Sequence, residues 1–152
     1  MKTFLRSLLL CLGLASCSLR AWAAEPAFRT LAMGNQSGLT QATNLVIRDQ
    51  AQWAELWKRH TGSSAVSTNL PAVDFQRELV IAAAMGQKRT GGYAIRIERA
   101  ETNATQLRIL IMEQLPDPER MVTQALTAPF HFAAFPRSDL RAEFVVVRLE
   151  PR

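Results

Sequence analysis

The chain has 152 residues, of which 48% are hydrophobic and 20% charged, and it carries a formal net charge of +5 at pH 7. This composition is typical of a globular protein with its own core and excludes a disordered chain, and the length suits a single domain. Lys2 and Arg6 lie in an N-terminal segment without acidic residues, and removing them leaves a charge of +3, or +2 if Arg20 is removed as well. Either charge is too weak to indicate a nucleic-acid partner.

Residues 1–23 are typical of an export signal. Lys2 and Arg6 precede an apolar stretch, Leu8 to Ala15, that is too short to cross a bilayer as a permanent helix. Two processing sites compete: a lipobox that ends at Cys17, which would then be lipidated, and a small-residue site cleaved after Ala23. We therefore expect export to a bacterial envelope, either as a soluble periplasmic protein or as a membrane-anchored lipoprotein.

The two cysteines, Cys11 and Cys17, both lie in this segment. The domain that follows is therefore predicted to have neither a disulfide nor a reactive thiol.

Residues 24–43 are expected to form a lead-in with a short strand near Phe28 to Met33, and residues 44–48 are also β-prone. One amphipathic helix is then predicted over Gln50 to His60. Asp49 and Gln52 fit a capping box, and Gly62 fits a helix end. The apolar positions at helical spacing are Trp53, Leu56, Trp57 and His60. Two tryptophans on one face would expose too much apolar area in water, so the helix should lie on a sheet.

The stretch from Leu79 to Ala100 is the centre of the chain. An apolar run ends at Gly86, a short basic segment closes on Gly91 and Gly92, and strict alternation begins at Tyr93. This pattern predicts strand, loop and strand, which we interpret as a hairpin. Glycines tolerate positive φ, so the loop could turn tightly and present its backbone amides outward.

Further strands are expected after this stretch. A polar turn at residues 101–105 precedes an alternating strand from Gln106 to Gln114, and the prolines of residues 115–120 indicate a loop. Residues 121–127 and 130–135 are β-prone, and Glu143 to Leu149 is apolar on both faces, which predicts a strand inside a sheet. The sum, six to eight strands and one helix, predicts an α+β fold: a mostly antiparallel sheet, curled or sandwich-like, with the helix packed on it.

The sequence offers poor material for catalysis. His60 falls on the apolar helix face, where packing is its expected role, and His131 alternates with aromatic residues in a strand and is expected to face solvent. There is no Gly-x-Ser-x-Gly elbow and no metal-ligand spacing. We therefore predict a protein that is not an enzyme and that uses no metal or cofactor.

The best candidate site is the basic glycine loop. Lys88 and Arg89 would place two positive charges on its rim, and Tyr93 could anchor an interface. The partner-binding residues that we predict are Lys88, Arg89, Thr90, Gly91, Gly92 and Tyr93. The alternative is a turn whose glycines only satisfy backbone geometry and whose charges keep it soluble.

Several of these motifs occur in the same order in a known family. They are Val73-Asp74-Phe75, Val80-Ile81-Ala82, the run from Gly86 to Tyr93, Leu126 to His131, and Phe135-Pro136-Arg137. With them the chain resembles the C-terminal domain of the PrcB family, named for a subunit of a bacterial surface protease complex, and residues 44–152 would form that domain.

The resemblance implies a non-catalytic accessory domain that binds or stabilises another protein, a protease in the namesake. From the residues themselves, the Gly86 to Tyr93 loop would be the surface that docks on that partner. The alternative is a periplasmic protein that binds a small ligand, an anion or a cell-wall fragment, at the same loop.

Overall fold

The structure is a computed structural model that describes residues 28–62 and 69–150. The expected signal segment, both of its processing sites and Cys17 lie outside the described residues.

Seven strands and one helix occupy the described part of the chain. They are β1 (Arg29–Gly34), β2 (Ala42–Ile47), α1 (Gln50–Thr61), β3 (Glu78–Met85), β4 (Ala94–Thr102), β5 (Gln106–Gln114), β6 (Phe130–Pro136) and β7 (Arg141–Leu149).

The strands form two sheets. A four-stranded antiparallel sheet has the order β1-β6-β3-β2, and a three-stranded sheet has the order β4-β5-β7, in which only β5 and β7 run parallel. Helix α1 packs on one face of the four-stranded sheet, and the three-stranded sheet packs on the other face. The α+β prediction, with a mostly antiparallel, sandwich-like arrangement and one helix on the sheet, is confirmed.

Helix α1 begins and ends where its sequence signals predict. The Asp49 carboxylate accepts a hydrogen bond from the backbone N–H of Gln52 at 2.8 Å, and Gly62 ends the helix with φ at 64°. Trp53 is fully buried, and its ring lies edge-on to that of Phe132 in β6, with the ring centres 5.8 Å apart. The tryptophan face therefore forms core, as expected from its apolar area.

Strands β3 and β6 form the centre of the molecule. Their side chains alternate between the two faces of the four-stranded sheet. Val80, Ala82 and Phe132 lie beneath the helix, whereas Ile81, Ala83 and Phe135 face the three-stranded sheet. Both strands are buried on both faces, which explains why their sequences are continuously apolar.

The predicted hairpin at residues 86–93 is wrong. Strand β3 pairs with β2 and β6, whereas β4 pairs with β5, so the segment between β3 and β4 crosses from one sheet to the other. The two flanking strands show strand patterns but no signal that fixes which strand each one pairs with. The hairpin in this region is instead β4 and β5, joined where Asn103 Oδ1 accepts from the backbone N–H groups of Thr105 and Gln106, both at 2.9 Å.

Two further expectations are wrong. Strand β7 is not internal, because within the described sheet it pairs only with β5 and forms an edge. Residues 121–127 form no strand; only Thr127 makes an isolated bridge, to Lys88. Prolines 116, 118 and 129 flank this segment and withhold amide donors on both sides of it.

None of the helices in the two described ranges is both long and apolar enough to cross a bilayer.

Candidate functional site

The predicted site residues lie in a segment that is held by a second loop. Residues 86–93 run alongside residues 121–127, and we call these two segments the loop pair. The backbone N–H of Lys88 donates to the carbonyl of Thr127 at 2.7 Å, and the N–H of Thr127 donates back at 3.0 Å. The hydroxyl of Thr127 also donates to the carbonyl of Thr90 at 2.8 Å. The candidate loop is therefore fixed along its length.

Three backbone amides of residues 86–93 donate hydrogen bonds within the protein. The N–H of Gln87 donates to the carbonyl of Thr40 at 2.9 Å, and that of Gly91 donates to the carbonyl of Thr123 at 2.8 Å. With the Lys88 amide, three amides of the segment are engaged internally. The expectation of a loop that presents its amides outward is wrong for these positions, and a ligand would meet side chains there.

Two glycines are required by close packing. Gly86 has a φ of 70°, and a Cβ on it would lie 2.7 Å from the backbone nitrogen of Ala42 at the start of β2. Gly92 has a φ of 86°, and a Cβ there would lie 2.8 Å from Cβ of Pro116. Any side chain would be strained at both positions. These glycines set the path of the crossover between the sheets.

Arg89 is the freely accessible charge of the loop pair. It is exposed, and the antiparallel bridge between Lys88 and Thr127 places Arg89 opposite Leu126. Lys88 is half-buried, and its Nζ lies 5.5 Å from the centre of the Tyr93 ring, so part of its charge is used in a cation–π contact. Neither segment of the loop pair contains an acidic residue.

The second segment of the loop pair carries exposed apolar side chains. Met121 is fully exposed and Leu126 is 58% exposed. Exposed apolar residues beside a cation are a common composition of protein-binding surfaces. Neither residue was predicted as part of the site, because the sequence of residues 121–127 is β-prone and predicted a strand; the flanking prolines were the signal that this segment is a loop.

A third segment braces the loop pair. The N–H of Ala128 donates to the carbonyl of Asn35 at 2.8 Å, and the side-chain amide of Gln36 donates to the carbonyl of Leu126 at 3.3 Å. These contacts tie residues 126–128 to the connection between β1 and β2. The surface is therefore largely preorganised.

His131 lies in the core rather than facing solvent. It is 2% exposed, and its Nδ1 accepts a hydrogen bond from the N–H of Ile97 in β4 at 2.9 Å. The neutral ring then carries its proton on Nε2, which donates to the Thr30 hydroxyl in β1 at 2.9 Å. Burial, and secondly the charge of Arg96, lower the pKa of His131. His131 thus links the two sheets as a neutral side chain.

His60 has the packing role predicted for it. Its ring centre lies 4.2 Å from that of Phe130, and its Nδ1 is hydrogen-bonded to the hydroxyl of Ser37 at 2.9 Å. Burial lowers the pKa of His60. The two histidines belong to different clusters, one beneath the helix and the other between the sheets, and neither lies in the loop pair.

The described residues contain no group of three or more His, Cys, Asp or Glu side chains that could hold a metal ion. Three cavities of about 260 to 390 Å³ are lined by residues outside the loop pair.

A known family model matches part of this chain. The family model described as PrcB C-terminal matches residues 79–136, which confirms the resemblance inferred from the sequence over those residues. The match runs from β3 to the end of β6 and includes both segments of the loop pair. No curated protein and no solved structure matches the chain.

Proposed function

We propose that this chain, which carries a PrcB C-terminal match at residues 79–136, is an exported accessory domain without catalytic activity that binds a protein partner through the loop pair. The family name suggests a protease complex as the setting. The predicted signal segment suggests the bacterial envelope as the location, with Cys17 as a lipid anchor or with release after Ala23.

One observation carries the proposal: exposed Arg89 and Leu126 lie opposite each other, with exposed Met121 in the same segment as Leu126, and internal hydrogen bonds join the backbones of the two segments. A preorganised surface loses little conformational entropy on binding. The absence of acids from both segments makes an acidic patch with an apolar centre the complementary surface on the partner.

The second function predicted from the sequence, binding of a small anion or cell-wall fragment at this loop, has less support. An anion site of this kind needs converging free amides. The amides of Gln87, Lys88 and Gly91 already donate to carbonyl groups of the protein. The geometry therefore favours a protein partner.

The experiment is affinity capture from the envelope fraction of the producing organism, with the purified chain as bait. The test variant combines Arg89→Glu with Met121→Ser, since both side chains are exposed and their replacement should leave the fold intact. We expect an envelope protein that the wild type retains and the variant loses, with the melting temperature unchanged.

The matched control is Arg77→Glu, the same charge reversal at an exposed arginine before β3, roughly 30 Å along that strand from Gly86. This variant should retain the partner. Equal capture by the wild type and the loop-pair variant, or hydrolysis of a substrate by the purified chain, would contradict the proposal.

A further inference from the structure

Strand β2 forms the second edge of the four-stranded sheet and lies beside the helix. A cavity of about 390 Å³ separates strand β2 from α1. Its walls are Leu45, Val46 and Ile47 of the strand and Ala51, Gln52, Glu55, Leu56 and Arg59 of the helix. A groove between an edge strand and a helix can hold a ligand that uses both walls.

The strand wall offers unpaired backbone groups. The N–H of Met85 donates to the carbonyl of Pro129, in register with the ladder between β3 and β6. In a strand, the N–H and C=O groups of successive residues point to opposite neighbouring strands. Since those of Met85 point to β6, those of Val80, Ala82 and Ala84 point to β2. Their partners are Ile47, Leu45 and Thr43.

The remaining residues of β2 therefore direct their N–H and C=O groups away from the sheet, into the open edge. These residues are Ala42, Asn44 and Val46. No described residue outside the sheet hydrogen-bonds to these backbone groups. An extended peptide can form hydrogen bonds with all of these N–H and C=O groups through its own backbone.

The same groove has an apolar centre. Leu45 pairs with Ala82, which lies in the cluster beneath the helix, so its side chain is on the helix side of β2. It is 39% exposed and lies across the groove from Leu56, whose side chain is buried. One apolar side chain of a bound peptide would cover Leu45 and be removed from water.

Charge distinguishes the two ends of the groove. The chain reverses between Ile47 and Gln50, so α1 runs back along β2 and Arg59 lies toward the Thr43 end. Arg59 makes no ion pair with a described residue, and Lys58 lies beside it in the last helical turn. In a strand that adds antiparallel to β2, the residue two positions after the apolar side chain reaches this basic end.

We propose that the groove between β2 and α1 binds an extended peptide segment of a partner protein as a fifth, antiparallel strand of the sheet. The segment carries an apolar residue over Leu45 and an acidic residue two positions later, near Arg59. Glu55, one turn earlier on the helix, disfavours an acid at the apolar position itself. None of the residues that line this groove belongs to the loop pair.

The first test is a displayed library of random nine-residue peptides, selected on the purified full-length chain. We expect enrichment of an apolar residue followed two positions later by Asp or Glu. The synthetic consensus peptide should bind saturably and should slow hydrogen exchange at the amides of Asn44 and Val46. No enrichment, or a peptide that perturbs a different surface, would overturn the proposal.

Backbone methylation tests the strand geometry. The peptide residues opposite Asn44 and Val46 direct their amides to β2, whereas the apolar residue opposite Leu45 directs its amide outward. Methylation of the amide just after the apolar residue should abolish binding, and methylation of the apolar residue's own amide should be tolerated. Equal effects of the two methyl groups would exclude strand addition.

Side-chain variants test the charge assignment. Arg59→Glu should weaken binding of the acidic peptide about tenfold, and a peptide with Lys in place of its acid should recover that loss. Arg77→Glu and Arg89→Glu should leave peptide binding unchanged, so a failure here and a failure of the loop-pair proposal are separate results. Peptide binding that is indifferent to Arg59→Glu, or self-association of the chain through β2, would contradict this assignment.

Discussion

Strands β3 and β7 have similar sequences and opposite surroundings. Each contains a continuous apolar run, Leu79 to Met85 in β3 and Phe144 to Val147 in β7. Every residue of the first run is buried, whereas Val146 and Val147 are each 38% exposed. An apolar run therefore does not by itself locate a strand inside a sheet.

The difference lies in the kind of apolar residue. β3 contains three consecutive alanines, whose small side chains let the helix and the second sheet approach closely. β7 contains three consecutive valines, which favour extended backbone even where one side remains in water. Small residues indicate layers on both sides, whereas β-branched residues indicate only a strand.

The largest effect should come from the two-sided burial of β3. Ile81→Ala should lower the free energy of unfolding by about 3 kcal/mol, because it leaves a cavity between the sheets. Val147→Ala in β7 should cost less than about 1 kcal/mol, since that side chain already contacts water. Urea unfolding of both variants measures the contrast, and equal losses would mean that the outer face of the three-stranded sheet is covered.

The next effect concerns how the two sheets are joined. His131→Phe keeps a ring in the core but leaves the buried N–H of Ile97 without its acceptor, so we expect a loss of about 2 kcal/mol. Hydrogen exchange at the Ile97 amide should become faster. His60→Phe is the matched control with a smaller expected loss, because the half-buried Ser37 hydroxyl can turn to water. Equal losses in the free energy of unfolding for the two variants would show that the hydrogen bond between His131 and Ile97 adds no stability of its own.

The pH dependence follows from the same histidine. The pKa of His131 is lowered from 6.5 in the folded protein, so below pH 6.5 the unfolded chain binds more protons than the folded one. The contribution of the neutral His131 to the free energy of unfolding is therefore complete above pH 6.5, and it is lost as the pH falls through the lowered pKa. His60 acts in the same direction. Unfolding curves between pH 8 and pH 5 should show a shallower fall for His131→Phe than for the wild type; parallel curves would refute this assignment.

Local signals were sufficient for the helix and for most strands. Asp49, Gln52 and Gly62 set the limits of α1 through contacts within a few residues, and the position of β1 was also close to its prediction. Strand pairing was not predictable in this way. The residues near Gly86 carry no signal that β3 and β4 belong to different sheets. The sheet that each strand joins is set by its pairing partners, β6 for β3 and β5 for β4, and these lie further along the chain.

The candidate site was predicted in part. The sequence identified the segment that holds Arg89 but not its neighbour with Met121 and Leu126, because the bridge between Lys88 and Thr127 joins residues distant in sequence. The same limit applies to His131. Alternation with Phe130 and Phe132 predicted an exposed side, yet both faces of β6 are covered.

The smallest effect isolates burial from strand propensity. Val147→Thr keeps a β-branched side chain of nearly the same shape on the outer face of β7, and should change the free energy of unfolding by no more than about 0.5 kcal/mol. Val80→Thr makes the same replacement in β3, where the new hydroxyl is fully buried beneath the helix, so a loss of about 2 kcal/mol is expected. Threonine has the same strand propensity at both positions. A difference in the free energy of unfolding between the two variants therefore measures the burial of the face of β3 beneath the helix, which the outer face of β7 lacks. A loss of more than about 1 kcal/mol from Val147→Thr would show that this side chain is buried and that the outer face of β7 is covered.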